Sequence, residues 1–148
     1  MSKLKEYVFN KTQKSLALEE EEKRNRINNN IAKSNYKEKF NSLVNDKLRV
    51  NLLELVDYSY FDVIEKNAEL ENEPFILQFE LNITINRQVA QYFLAFSGNS
   101  ISNPDGFDIN IESSGFGKSL PAKEILFEDL AEFNIEDFLI QQFNEFEK

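Results

Sequence analysis

The sequence predicts an α+β fold: an N-terminal helical arm, an antiparallel sheet of three or four strands, and C-terminal helices packed on one sheet face. Three observations predict it. Residues 1–50 carry 12 Lys/Arg against 7 Asp/Glu, whereas residues 51–148 carry 5 against 19. From Phe75 to Asn86 apolar and polar residues alternate with period two, broken only at Ile76. Near the C-terminus, Ile135, Phe138, Leu139, Phe143 and Phe146 recur at helical spacing. The charge break divides the chain into a basic helical extension, residues 1–49, and an acidic α+β domain, residues 50–148.

Each element has its own signal. Residues 1–18 are mixed and are expected to fray. Glu19–Lys23, Glu20–Arg24 and Glu22–Arg26 are acid-before-base pairs at i,i+4, the spacing of a solvated helix. Asn28-Asn29-Asn30 should weaken that helix. Ile27, Ile31, Phe40, Leu43, Val44 and Leu48 form one narrow apolar stripe, so a helix over about 36–48 is the expected docked element. Its alternatives are a coiled coil, although no clean heptad is sustained, or a disordered tail. Residues 49–57 read as helix or strand. A strand is expected over about 57–64, and Asn67 to Pro74 reads as an acidic loop.

Phe75–Asn86 is the clearest strand, with one buried and one wet face. Tyr92–Phe96 reads as a central strand and Phe107–Glu112 as another half-exposed one. The turn chemistry between them (Ser97-Gly98-Asn99 and Asn103-Pro104-Asp105-Gly106) leaves no room for helical crossovers, so pairing is antiparallel. Residues 122–132 are compatible with a helix opened by Pro121. Asn134 is a fitting N-cap for the terminal helix, with Glu136 and Asp137 in its first turn.

Composition excludes much chemistry. There is no cysteine and no histidine. Thiolate and imidazole nucleophiles, imidazole bases and the usual zinc and haem ligands are therefore missing. The chain is expected not to be an enzyme, with no catalytic residue, cofactor or metal. Gly115-Phe116-Gly117-Lys118-Ser119 looks like the end of a phosphate loop, yet Glu112 stands where the first glycine is needed. Asp105, Asp108, Asn110 and Glu112 offer oxygen ligands, but not at calcium-loop spacing. No signal peptide or membrane span is expected, so a cytoplasmic location is.

The acidic C-terminal stretch carries the functional expectation. Glu124, Glu128, Asp129, Glu132, Glu136 and Asp137 are the candidate partner-binding residues, as surface anions. They are expected to dock on a basic site of another protein, in the manner of a nucleic-acid mimic. That describes an accessory or inhibitor protein. Its Asn-, Lys-, Ile- and Phe-rich usage suits an AT-rich genome, such as that of a phage or mobile element. Nucleic-acid binding by the basic arm is not expected, because Glu19–Glu22 interrupts it. Two alternatives stay open. One is assembly into a homo-oligomer through the arm. The other follows from the element order over residues 57–143, ending in Leu130–Leu139, which resembles SecB-type export chaperones. That resemblance implies an acidic holdase, although the apolar-Phe-Pro-Tyr start of that family's long helix is missing and no site is carried over.

Overall fold

The computed structural model describes residues 2–57, 59–115 and 120–148, the Asp57 side chain excepted. The chain forms two compact units, residues 1–35 and 36–148. Helix α1 runs Lys3–Lys39 without a break at the three asparagines or in its first turns. Fraying over residues 1–18 and weakening at Asn28–Asn30 are therefore not observed. Ser2 to Asn35 are exposed throughout. Glu19–Lys23, Glu20–Arg24 and Glu22–Arg26 do not close to ion-pair distance, so this helix rests on its backbone ladder and on propensity. Among the described residues, no helix is long and apolar enough to cross a membrane.

The second unit begins with the last turn of α1, where Tyr36 is buried. A π-helical segment, Phe40–Leu48, and a short helix α2, Arg49–Glu54, continue the chain. Tyr36, Phe40, Val44, Leu48 and Leu52 are all buried, at strict four-residue intervals. An α-helix of about 3.6 residues per turn would carry such a series steadily off one face. The wider i→i+5 turn drifts the opposite way. Alternating α, π and α turns therefore holds all five side chains over the sheet. The Arg49 N–H bond to Val44 O is one of these wide turns. Each buried Phe, Val or Leu contributes roughly 1.5–3 kcal/mol, so stability of this unit lies in the stripe rather than in surface charge.

The sheet has five antiparallel strands in sequence order: β1 Phe61–Glu69, β2 Phe75–Ile85, β3 Gln88–Gly98, β4 Gly106–Ser113 and β5 Lys123–Leu126. Three strands fall where period two and turn chemistry predict them. The other two differ. The first strand starts later and runs on through Asn67 to Glu69, with a bulge between Glu65 and Asn67, so the acidic loop shrinks to its Pro74 end. Residues 123–126, read as helix-compatible, form β5 and lead into a 3-10 turn, Phe127–Asp129. The sheet thus has one strand more than expected. One helix, α3 Ile135–Glu147, takes the place of two.

Inner-face residues align across the sheet: Leu77 with Phe96 and Phe79 with Leu94, then Phe96 with Ile109 and Phe107 with Ile125. All are buried. Asn86 and Arg87, at φ 52° and 66°, close the two-residue hairpin between β2 and β3. Both angles are left-handed, as a hairpin turn of this kind requires. Helix α3 sets Phe143 and Phe146 against Tyr92, with ring centroids 4.6 and 5.5 Å apart.

Tyr36 ties the stripe to the sheet. Its hydroxyl donates to Gly106 O at 2.6 Å, and its ring lies near Phe40, Phe75 and Phe127. Burial raises its phenol well above the ordinary value, only partly offset by the Asn99 backbone N–H, while Glu73 and Asp108 push it the same way as burial. Gly98 makes room for it. A Cβ there would run into the Tyr36 hydroxyl and lie 2.8 Å from the Phe40 ring.

Three outcomes are expected from denaturant titration. Gly98→Ala should lower stability by ~1–3 kcal/mol, because neither ring can retreat in a packed core. Arg87→Gly should raise it by about 0.5 kcal/mol, since glycine adopts the left-handed turn without strain. Tyr36→Phe should cost ~1 kcal/mol near neutral pH. A buried phenol with a raised pKa stabilises fully below the unfolded value of about 10 and loses that contribution as pH rises above it. The gap between wild type and Tyr36→Phe should therefore shrink above pH ~10; a gap constant across that range would remove the titration of Tyr36 from the account.

Candidate protein-docking surface

The six predicted anions arise from four consecutive segments. Glu124 lies on β5, Glu128 and Asp129 in the 3-10 turn, Glu132 in the turn after it, and Glu136 and Asp137 in the first turn of α3. Asn134 caps that helix, its Oδ1 accepting from Asp137 N at 3.1 Å. The two acids beside it sit where the helix dipole favours negative charge. All six side chains are exposed, and among the described residues none forms an ion pair.

The six do not form one cluster. Glu124, Asp129 and Glu132 line a concavity of about 590 Å³ together with Lys123, Ile125, Leu126 and Phe133. Among the described residues Lys123 is its one cation, and its ammonium stands 5.8 Å from the centre of the Phe138 ring. Glu124 faces Asp108 across the β4–β5 ladder, a like-charge pair. With its amide turned to suit both neighbours, Asn103 donates to Glu124 Oε1 at 3.0 Å and accepts from Phe107 N. That contact steadies one of the two carboxylates.

Glu136 belongs to a second concavity, of about 320 Å³, whose walls are Leu55, Phe61, Leu139, Ile140 and Phe143 and whose other acid is Glu54. This cleft is apolar at its floor and anionic at its rim. Ile140 is 52% exposed. Glu128 and Asp137 line neither concavity. The apolar cleft was not expected from the sequence. Its one available signal is Ile140, an apolar residue on the terminal helix that falls outside the inward stripe of Phe138, Leu139 and Phe146.

The sheet's second face is a third surface. A groove of about 520 Å³ runs over Lys66, Gln78, Glu80, Phe93, Ala95, Asn110 and Glu112. Phe93 is 40% exposed at its middle. Glu80 accepts from Gln91 at 2.6 Å and from Asn82 at 3.1 Å, with Lys66 at 3.8 Å. Asp108, Asn110 and Glu112 alternate with the buried Phe107, Ile109 and Ile111 along β4, as period two predicts. Among the described residues, no three His, Cys, Asp or Glu side chains gather to hold a metal ion. The phosphate-loop reading falls on Phe116–Ser119, outside the described residues.

What these surfaces offer chemically is solvated negative charge beside apolar side chains, the make-up of a recognition patch with an anchor pocket. Comparison with protein-family models, curated proteins and solved structures gives no match for the chain, so its assignment rests on these surfaces alone.

Proposed function

We propose that the chain is a non-enzymatic binding protein, an accessory or inhibitor protein of the kind phages and mobile elements encode. In this reading its acidic C-terminal surface docks on a basic site of a partner protein. One observation carries it: six exposed carboxylates between Glu124 and Asp137 without an ion-paired neighbour among the described residues, with Glu136 on the rim of an apolar cleft. Unpaired anions steer a cationic partner, and the cleft formed with Leu139, Ile140 and Phe143 takes an apolar side chain flanked by its Lys or Arg. Residues 36–148 hold 9 Lys/Arg against 21 Asp/Glu, a net −12, which supports the same direction. Such an excess opposes compaction, so a binding role gives it a reason to persist.

The SecB-like holdase is the second reading, and the apolar cleft is what favours it, since an unfolded client is recognised by exposed apolar side chains. The two separate by salt. An electrostatic docking surface weakens as salt rises, whereas apolar capture does not.

The test uses a partner captured from the source cell by the full chain and then purified. Its Kd should rise about tenfold or more between ~50 and ~500 mM salt. Glu124→Lys/Asp129→Lys/Glu132→Lys should cost a similar factor at low salt, with melting temperature little changed because all three sites are exposed. Ile140→Asp should weaken binding at every salt concentration. An affinity indifferent to both salt and charge reversal would sink the docking reading. Suppression of aggregation of an unfolded client, unaffected by salt, would replace it with the holdase.

A further inference from the structure

Two edges close the sheet. Strand β5 offers four residues, whereas β1 offers nine, all exposed except the half-buried Phe61 and Val63. A long exposed edge is a template for another strand unless charge or irregularity blocks it. Strand β1 carries both, a bulge after Glu65 and four charged residues, Asp62, Glu65, Lys66 and Glu69. Two of them on the open face, Asp62 and Lys66, nevertheless complement the same strand read in reverse, while Glu65 falls opposite Val63.

Asp62, Ile64 and Lys66 alternate along the edge, on the sheet face away from the helices. Asp62 stands opposite Asn82 and Ile64 opposite Glu80, while Lys66 Nζ reaches Glu80 Oε1 at 3.8 Å on that face. Ile64 is 38% exposed. We propose that β1 pairs with β1 of a second copy, antiparallel about a two-fold axis through Ile64, so that two five-stranded sheets become one continuous sheet. In that register Asp62 stands opposite the partner's Lys66, and Lys66 opposite the partner's Asp62. Ile64 meets its counterpart between them. The neighbouring registers lack this match. An axis at Asp62 sets two aspartates face to face, one at Val63 sets Asp62 against Ile64, and one at Glu65 sets two glutamates together. A C2 interface repeats each contact, so the opposite-charge pair occurs twice. This inference does not rest on the proposed partner docking, which uses other side chains.

Sedimentation of the full chain tests it. The wild type should dimerise within a range of about 1–200 μM at low salt. Asp62→Lys and Lys66→Asp should each raise the dimer Kd at least about tenfold, because each turns two attractive pairs into two repulsive ones. The double exchange, Asp62→Lys/Lys66→Asp, should return it to within about threefold of wild type. Should a charge variant fold poorly, amide exchange on the wild type decides: the amides of Phe61, Val63 and Glu65, which point away from β2, should gain protection as concentration rises. A chain monomeric throughout, a double exchange no better than either single, or β1 protection independent of concentration would overturn the pairing.

Discussion

Everything in the second unit hangs on the seating of one helical stripe against one sheet face. Tyr36, Phe40, Val44, Leu48 and Leu52 occupy strict four-residue positions, and only a backbone that widens into π turns keeps them in line. The sheet answers with Phe75, Leu77, Phe96, Phe107 and Ile109. Tyr36 adds a buried directional contact, its hydroxyl bond to Gly106 O, and Gly98 gives the ring its clearance. Without that seat the sheet outside the reach of α3 would have two wet faces, and such a sheet has little to hold its register.

Period two made the middle of the fold legible. Residues 75–86, 92–96 and 107–112 announce strands because one face of each is buried and the other is not. The terminal helix was equally readable from Asn134 and the stripe behind it. Lys123–Leu126 was not. Four residues give too short a window to separate strand from helix, and its ladder with Gly106–Ile109 is a long-range choice. The extent of β1 was hidden for a related reason. Lys66, Asn67 and Glu69 are poor β-formers, held in the sheet by pairing with β2 across a bulge. Period four over residues 36–52 could be seen as a stripe, but the π turns that keep it straight leave no compositional mark.

The candidate site was legible in its residue types and not in its grouping. Charge counting finds Glu124 through Asp137 without knowing that a strand, a 3-10 turn and a helix start will aim them differently. The structure sets Glu124, Asp129 and Glu132 around one concavity and Glu136 on another, and Glu128 and Asp137 line neither. The cleft under Glu136 depends on Leu55 and Phe61, which are distant in sequence from Ile140 and Phe143. Long-range convergence of that kind has no one-dimensional signature. Only the stray apolar Ile140 hinted at it.

A single physical division then orders the surfaces. The inner sheet face is spent on the helical stripe and α3, so a partner of the second unit's sheet meets the rim, the open sheet face or an edge. The rim is anionic around an apolar floor, and the open face sets Phe93 among Glu80, Glu112 and Lys66. The two kinds of contact make different demands. Edge pairing draws on backbone groups and requires charge of both signs in register, which β1 has in Asp62 and Lys66. Rim docking requires uncompensated charge of one sign, which Glu124 to Asp137 provide. The two contacts draw on different charged side chains, but they meet at Phe61, which begins β1 and also walls the apolar cleft under Glu136. A dimer would present the acidic rim twice, and two rims at fixed spacing bind a repetitive basic target more tightly than either alone.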